Sequence, residues 1–196
     1  KADIAEAKRL GYVIKLLGIA KLVNGHIDVS VGPVLVPQTQ PLAAIQNENN
    51  AVVVTGSAVG ETMFYGPGAG ELPTANSVLS DITSVTKNIV MGTTGFSFND
   101  YTNELELADD SEVVYPYYLS LQVLDKPGQM LKLTEIMTEY DASFRLITQT
   151  QMNDRLARVS MVTHEMSESQ LNHIVEKLNE LEEISVLAAY KVLTEK

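Results

Sequence analysis

LSLQVLDKPGQM, residues 119–130, is the stretch that decides the fold of the second half of the chain. Apolar and polar residues alternate up to Val123, which predicts a strand with one buried face. Pro127 and Gly128 interrupt that pattern and predict a tight turn. A helical spacing then begins and places these residues on one face: Met130, Leu133, Ile136, Met137 and Tyr140. The stretch therefore predicts a strand, a turn and an amphipathic helix.

The residues that follow extend this unit. Strands are predicted for residues 144–152 and 155–163, joined by a turn at Asn153-Asp154. Ser167 and Gln170 have the spacing of a capping box, which predicts a second helix, and a last strand covers residues 184–193. The order β-α-β-β-α-β is the ferredoxin-like arrangement. Two helices on one face of a sheet leave its other face and its edges uncovered, which favours dimers.

The first half of the chain predicts a different mixture of helix and strand. A short helix is expected over residues 3–10 and a strand over residues 12–23. Asn24-Gly25 predicts a hairpin turn into a return strand. The three prolines that follow are expected to break regular pairing, and a strand resumes over residues 51–55. The whole chain is predicted as α+β, with a partial α/β sheet followed by a ferredoxin-like βαββαβ unit.

Glycines are concentrated between residues 56 and 74, and a helix is predicted directly after them. Pro73 suits the first turn of that helix, where its missing N–H is not needed. Its apolar face is formed by Val78, Ile82, Val85 and Ile89. Periodicity then fades and acidic residues accumulate up to residue 115, which indicates a connecting segment between two domains.

Composition excludes several classes of function. The net charge of −11 and the absence of a basic patch argue against a nucleic-acid partner. There is no apolar run long enough to cross a bilayer and no cysteine, so we expect a cytoplasmic protein without a membrane partner. His26, His164 and His173 are dispersed, and no metal site is predicted. The chain starts at Lys1 rather than at a methionine, which suggests a piece of something longer.

The turn at residues 125–130 resembles that of ACT domains, whose pattern is Asp-x-Pro-Gly-x-Leu. Met130 stands in the leucine position. The resemblance implies an amino-acid effector bound by Asp125, Pro127, Gly128, Gln129 and Met130, with the neighbouring strand around Ile147. Free N–H groups at a helix start can hold a carboxylate, and Asp125 or strand carbonyls can pair with an ammonium. The alternative is that this turn only begins a helix, with Asp125 as its cap.

Three stretches of the first half resemble homoserine dehydrogenases: GYVIKLLGIA at residues 11–20, the proline-rich segment 37–43, and GETMFYGPGAG at residues 60–70 continuing to Asp81. The resemblance implies that residues 1–110 are the distal part of the catalytic and dimerisation domain. Residues 115–196 are then the ACT regulatory domain.

That family interconverts homoserine and aspartate 4-semialdehyde with NAD(P). The resemblance implies that the nucleotide-binding domain, the catalytic lysine and the substrate-binding carboxylates precede Lys1, so no catalytic residue is nominated in this chain. We expect the chain alone to be inactive and to bind no cofactor. In the parent enzyme, Gly68 and Gly70 are implied to border the nicotinamide; the alternative is that these glycines only permit close packing.

The implied partners are further copies of the chain, as a dimer or tetramer through the ACT and catalytic-domain sheets, and an amino-acid effector. Threonine is the first candidate, since homoserine leads to it. Two alternatives stay open: an ACT pair that only holds subunits together, and a stand-alone amino-acid-binding regulator. The dehydrogenase-like first half argues against the second of these.

Overall fold

The computed structural model describes residues 2–94 and 104–194. Its chain forms two compact units. The first unit combines Lys1–Ala43 with Leu105–Lys196, and the second is Ala44–Glu104. The predicted division near residues 110–115 is a boundary along the sequence and stays a prediction. In space, the first hairpin of the chain belongs with the C-terminal half.

The first unit contains three of the four described helices and most of the strands. Its N-terminal elements are α1 (Ala2–Arg9), β1 (Tyr12–Val23), β2 (His26–Pro37) and the start of a 3-10 turn (Pro41–Ala44). Its C-terminal elements are β5 (Val114–Tyr115), β6 (Tyr117–Leu124), α3 (Gln129–Glu139), β7 (Phe144–Gln151), β8 (Leu156–Thr163), β9 (Met166–Ser167), α4 (Glu168–Asn179) and β10 (Ile184–Val192).

Six strands form one sheet in the order β1-β2-β10-β6-β8-β7. The last four of these, with α3 and α4, confirm the predicted ferredoxin-like order. The first hairpin extends the same sheet, because β2 pairs in parallel with β10 at Val34 and Leu35. The prediction that the sheet edges are open is therefore wrong beside β10, where β2 supplies the missing partner.

The hairpin between β1 and β2 forms as predicted. Asn24 and Gly25 have φ angles of 51° and 91°, which a two-residue turn of this type requires. The expected break in regular pairing is wrong at Pro33, whereas pairing does end at Pro37 and Pro41 begins the 3-10 turn. The β1–β2 ladder continues through Pro33, opposite Leu16, and ends at Pro37. Pro33 lies just before the short pairing with β10, where β2 is still an edge strand and a missing N–H is tolerated.

The helix-covered face of the sheet holds the larger core. Leu119, Leu121 and Val123 of β6 face this side, as the alternating pattern predicted. Their main partners from the other elements are Leu133 and Met137 of α3, Val159 and Met161 of β8, and Leu171, Ile174 and Leu178 of α4. Each fully buried aliphatic side chain of this kind contributes about 1.5–3 kcal/mol.

The opposite face of the sheet is partly covered by α1. Ala7 is fully buried against a small core that includes Tyr118 and Val162. Polar contacts surround it: Arg158 donates to Asp3 at 2.8 Å. The prediction that this face is uncovered is therefore wrong, because α1 precedes the hairpin that extends the sheet and packs back across it.

The second unit contains β3 (Asn49–Gly56), β4 (Gly60–Pro67) and α2 (Glu71–Met91). The strands form an antiparallel hairpin, of which only β3 was predicted. Pro73 lies in the first turn of α2 as expected, and the helix ends at Gly92 with φ of 66°. The predicted apolar face of α2 is exposed by 52–62% along its length.

The acidic connector has short local structure where it is described. Leu107 forms a parallel bridge with Ile27, and Val114 pairs with Ser167. Residues 95–103 of the predicted connector lie outside the described residues. Among the residues that are described, no helix is long and apolar enough to span a membrane.

Candidate effector site

The turn between β6 and α3 is fixed by backbone hydrogen bonds. Asp125 donates its N–H to the carbonyl of Arg155 at 2.8 Å, and Lys126 donates to Leu124 at 2.9 Å. Gly128 has φ of 92°, in the left-handed region where a side chain is strained. The glycine predicted at this position is therefore required by the backbone.

Helix α3 begins without a side-chain cap. Its N-cap is Gly128, and no side-chain cap hydrogen bond is present there among the described residues. The first backbone bond of the helix runs from Lys132 N–H to the Gly128 carbonyl at 3.1 Å. The N–H groups of residues 129–131 consequently have no acceptor within the helix, and they carry the partial positive charge of a helix start.

The expectation that Asp125 caps this helix is wrong. The helix begins at Gln129, four residues beyond Asp125, because the left-handed Gly128 is the residue that turns the chain into it. The carboxylate of Asp125 instead accepts from Gln149 Nε2 at 3.2 Å. Asp125 is exposed, and this contact joins the turn to strand β7.

Gln129 is the polar residue that the turn buries. It is 7% exposed, and its Oε1 atom is buried with no hydrogen-bond partner among the described residues. A buried amide oxygen without a donor costs about 1–3 kcal/mol. The first residue of α3 therefore carries a buried acceptor that has no donor among the described residues.

The remaining predicted effector residues lie in two places. Met130 is half-buried at the start of α3 and packs against the helix-face core. Ile147 lies in the middle of β7, opposite Met161 of β8, and also packs against that core. The structure thus groups residues 125–130 in one turn. Ile147 lies on the strand that reaches this turn through Gln149.

The glycine-rich segment belongs to the second unit. Gly68 donates its N–H to the Glu48 carbonyl at 2.9 Å, and a Cβ at this position would overlap the side-chain amide of Asn50. Gly70 is the N-cap of α2 with φ of 122°, and a Cβ there would lie 3.3 Å from Pro73 Cδ. Gly70 also borders an open cleft of about 610 Å³. Local packing and backbone conformation thus explain both glycines.

A buried polar cluster beside β10 was not predicted from the sequence. Tyr115 donates its hydroxyl to Asp28 Oδ2 at 2.7 Å, and Lys191 lies between Asp28 (3.6 Å) and Glu168 (3.1 Å). Burial, followed by the hydrogen bond to Asp28, raises the pKa of Tyr115. The sequence signal that could have revealed this cluster was Asp28. It is a carboxylate within a strand, and the alternating pattern of that strand predicted that its polar residues lie at the surface.

No group of three or more His, Cys, Asp or Glu side chains is placed to hold a metal ion, within residues 2–94 and 104–194. His26 instead contacts Glu112 at 2.8 Å.

Comparison with known proteins gives a consistent result over both halves of the chain. The homoserine dehydrogenase family model matches residues 1–83, and the ACT domain model matches residues 117–183. Homoserine dehydrogenase from Bacillus subtilis is 45% identical over 193 residues, and that from Lactococcus lactis is 38% identical over 193 residues. The chain is a homologue of the C-terminal part of the homoserine dehydrogenases.

Homoserine dehydrogenases of known structure share the fold. The chain superposes on the crystal structure of the Thiobacillus denitrificans enzyme with a TM-score of 0.86 and 29% identity, over 98% of this chain and 45% of that one. The matches to the Bacillus subtilis and Lactococcus lactis enzymes cover 97% and 98% of this chain, but only 45% of the length of each enzyme. The chain therefore spans about half the length of the homoserine dehydrogenases that it matches.

The two family matches locate the candidate residues. The ACT match contains the whole turn, from Asp125 to Met130, and Ile147. The homoserine dehydrogenase match contains Gly68 and Gly70. The sequence resemblances that led to these residues are confirmed at the level of family, while the role of each residue stays a prediction.

Proposed function

We propose that this chain is the regulatory and distal catalytic part of a homoserine dehydrogenase and that its ACT domain binds a small amino acid at the start of α3. The observation that carries the proposal is Gln129. Its Oε1 is buried and has no partner among the described residues, and Gln129 is the first residue of a helix whose start has no side-chain cap. An α-amino acid supplies both of the missing partners, because it carries a carboxylate and an ammonium.

The recognition chemistry follows from the charges of the turn. The effector carboxylate accepts hydrogen bonds from the N–H groups of residues 129–131, where the helix dipole stabilises negative charge. Its ammonium donates to Gln129 Oε1 and is attracted by the carboxylate of Asp125. Threonine is the first candidate, since the proposed reaction yields its precursor. Such an effector regulates only to the extent that its affinity differs between two states of the enzyme.

The activity proposed for the whole protein is the NAD(P)-dependent interconversion of homoserine and aspartate 4-semialdehyde. Gly68 packs against Asn50, and Gly70 is a helix N-cap, so neither glycine requires a cofactor to explain it. NAD(P) chemistry is accordingly proposed for the protein that contains the nucleotide-binding half, and for this chain alone we propose neither cofactor binding nor turnover.

Thermal unfolding with a panel of amino acids tests the effector site. Threonine, isoleucine, methionine, lysine and homoserine are added separately to the wild-type chain and to Gly128→Asp. A ligand at about one hundred times its dissociation constant stabilises the folded state by roughly 2.7 kcal/mol. We expect a selective rise of the midpoint with threonine in the wild type. Gly128→Asp places a carboxylate beside the proposed ligand carboxylate, so the rise should be lost.

The same panel of amino acids distinguishes effector binding from the alternative function, in which the ACT domains only join subunits. An ACT pair that only joins subunits gives no selective midpoint shift with any amino acid, although it still associates on a sizing column. The outer strands β1 and β7 of the sheet are the edges available for such pairing. An equal shift in the wild type and in Gly128→Asp would place the effector elsewhere in the chain.

A further inference from the structure

Asn24 is the only asparagine in the 196-residue sequence that is followed by a glycine. The pair forms the two-residue turn between β1 and β2, with φ angles of 51° and 91°, and both residues are exposed. Because glycine has no side chain, the backbone nitrogen of Gly25 can approach the Asn24 side chain more closely than the nitrogen of another residue could. The turn therefore combines an exposed amide carbon with an accessible nucleophile.

The reaction that this pair supports is intramolecular deamidation. The backbone nitrogen of Gly25 attacks Cγ of Asn24, so that a new nitrogen–carbon bond forms and the Cγ–Nδ2 bond breaks. Nδ2 leaves as ammonia with the proton of the Gly25 nitrogen, and a cyclic imide remains. Water then adds to either carbonyl carbon of the imide, opens the ring and leaves a carboxylate. The products at position 24 are aspartate and isoaspartate, and no oxidant or reductant is required.

The Asn24 amide is one of the contacts that attach the acidic connector to this hairpin. Its Nδ2 atom donates to Glu112 Oε1 at 3.4 Å, and Nδ1 of His26 lies 2.8 Å from Glu112 Oε2. Beside them, the Ala108 N–H donates to the Ile27 carbonyl of β2 at 3.0 Å. Glu112 thus holds the turn close to the place where the connector pairs with β2.

Deamidation replaces this donor by a second carboxylate. Hydrogen bonds from the Asp109 backbone N–H, and then from His26 and Asn24, lower the pKa of Glu112, so its carboxyl is ionised at neutral pH. An aspartate at position 24 repels this carboxylate, whereas the amide donates to it. Isoaspartate also adds the Cβ atom to the main chain, which disturbs the two-residue turn that pairs Val23 with His26.

We propose that Asn24 is a site of spontaneous deamidation and that its conversion loosens residues 106–112 of the connector from the first hairpin. The proposal does not depend on the effector turn or on the activity of the whole enzyme. The chain contains a matched comparison. Asn47 is also exposed and also has a left-handed φ, of 58°, but Glu48 follows it in place of a glycine.

Peptide mapping by mass spectrometry tests the modification, after incubation of the whole folded chain in a mildly alkaline buffer. Asn47 is the internal control in the same sample. We expect Asn24 to be converted faster than Asn47 by about tenfold or more. Equal conversion of the two residues would overturn the proposal. Conversion of Asn24 only after unfolding in urea would also overturn it, because the folded turn would then protect the amide.

Hydrogen exchange of the Ala108 amide tests the structural consequence. Asn24→Asp imitates one product, and Asn47→Asp is the control with the same change of charge. We expect exchange at Ala108 to be about twofold to fivefold faster in Asn24→Asp and unchanged in Asn47→Asp. In a Glu112→Gln background, Asn24→Asp should cause no further acceleration, because the repelling carboxylate is absent. Unchanged exchange in Asn24→Asp, or an equal acceleration without Glu112, would contradict the proposed loosening.

Discussion

Thr148 of strand β7 donates its hydroxyl hydrogen to Glu6 Oε1 of helix α1 at 2.7 Å. The same carboxylate is paired with Arg9 on its own helix. Thr148 therefore attaches the N-terminal helix to the outermost strand of the ferredoxin-like unit, one residue from Gln149, which holds Asp125 of the candidate effector turn.

Replacing Thr148 by valine should remove the hydrogen bond to Glu6 and leave the strand intact. The substitution keeps the branched shape and removes the hydroxyl, so we expect a loss of about 0.5–1.5 kcal/mol in the free energy of unfolding. Urea denaturation measures it. Thr150→Val, an exposed change on the same strand, is the control and should alter stability by less than about 0.5 kcal/mol. Equal effects of the two variants would contradict the role of the Glu6 contact.

Glu6 also predicts a pH dependence. The hydrogen bond from Arg9, and then that from Thr148, lower the pKa of Glu6 below its ordinary value of 4.5. A carboxyl whose pKa is lower in the folded state adds stability above its unfolded pKa, and this stability is lost as the pH falls through the folded pKa. Glu6→Gln should therefore lose less stability than the wild type when the pH is lowered below 4.5. Parallel acid-unfolding curves would contradict the assignment.

The turn glycine should be far less replaceable than a strand glycine. Gly128 has φ of 92°, and alanine in the left-handed region costs about 1–2 kcal/mol. Gly32 lies in β2 outside that region, and a Cβ there meets no atom within 4 Å. We expect Gly128→Ala to destabilise the chain by about that amount and Gly32→Ala to be neutral or stabilising, by chemical denaturation. A neutral Gly128→Ala would contradict the described turn.

The exposure of α2 gives a contrast between two apolar residues. Ile82 is 57% exposed, whereas Leu121 of β6 is fully buried. Leu121→Ala should cost about 2–5 kcal/mol, because it removes buried surface and leaves a cavity. Ile82→Ala should change stability by less than about 1 kcal/mol, since alanine is also a strong helix former. A large loss in the Ile82 variant, measured by the same denaturation, would mean that this face of α2 is covered in solution.

A turnover assay separately tests the proposal that catalysis requires residues outside this chain. The purified chain, with homoserine and either NAD or NADP, should give no absorbance change at 340 nm above a blank without protein. Any reproducible turnover that co-purifies with the chain would contradict the proposal that catalysis requires residues outside it.

Periodicity was sufficient to predict most elements of the ferredoxin-like unit. The alternation around Leu121 and the capping box at Ser167 are local signals, and both are present in the structure as expected. Pairing between distant strands has no local signal. The parallel contact of β2 with β10 joins residues more than 150 positions apart, and for this reason the extended sheet and the packing of α1 were missed.

The candidate turn was found by its residues, but the role of Asp125 was not. The sequence places an aspartate, a proline and a glycine before a helix, and that order does not reveal which residue is the cap. The left-handed φ of Gly128 identifies this glycine as the cap, and the carboxylate of Asp125 instead accepts a hydrogen bond from Gln149. The unpartnered oxygen of Gln129 depends on three-dimensional burial and could not be predicted from the sequence.

Calorimetric titration of threonine into the wild-type chain and into Gln129→Met is the most direct test of the central proposal. Methionine has a similar shape and removes the buried oxygen without leaving it unpaired, so the variant should be at least as stable as the wild type. We predict saturable binding to the wild type and affinity weaker by roughly tenfold in Gln129→Met. Absence of binding to the wild type, or equal affinity in both proteins, would contradict an effector site at the start of α3.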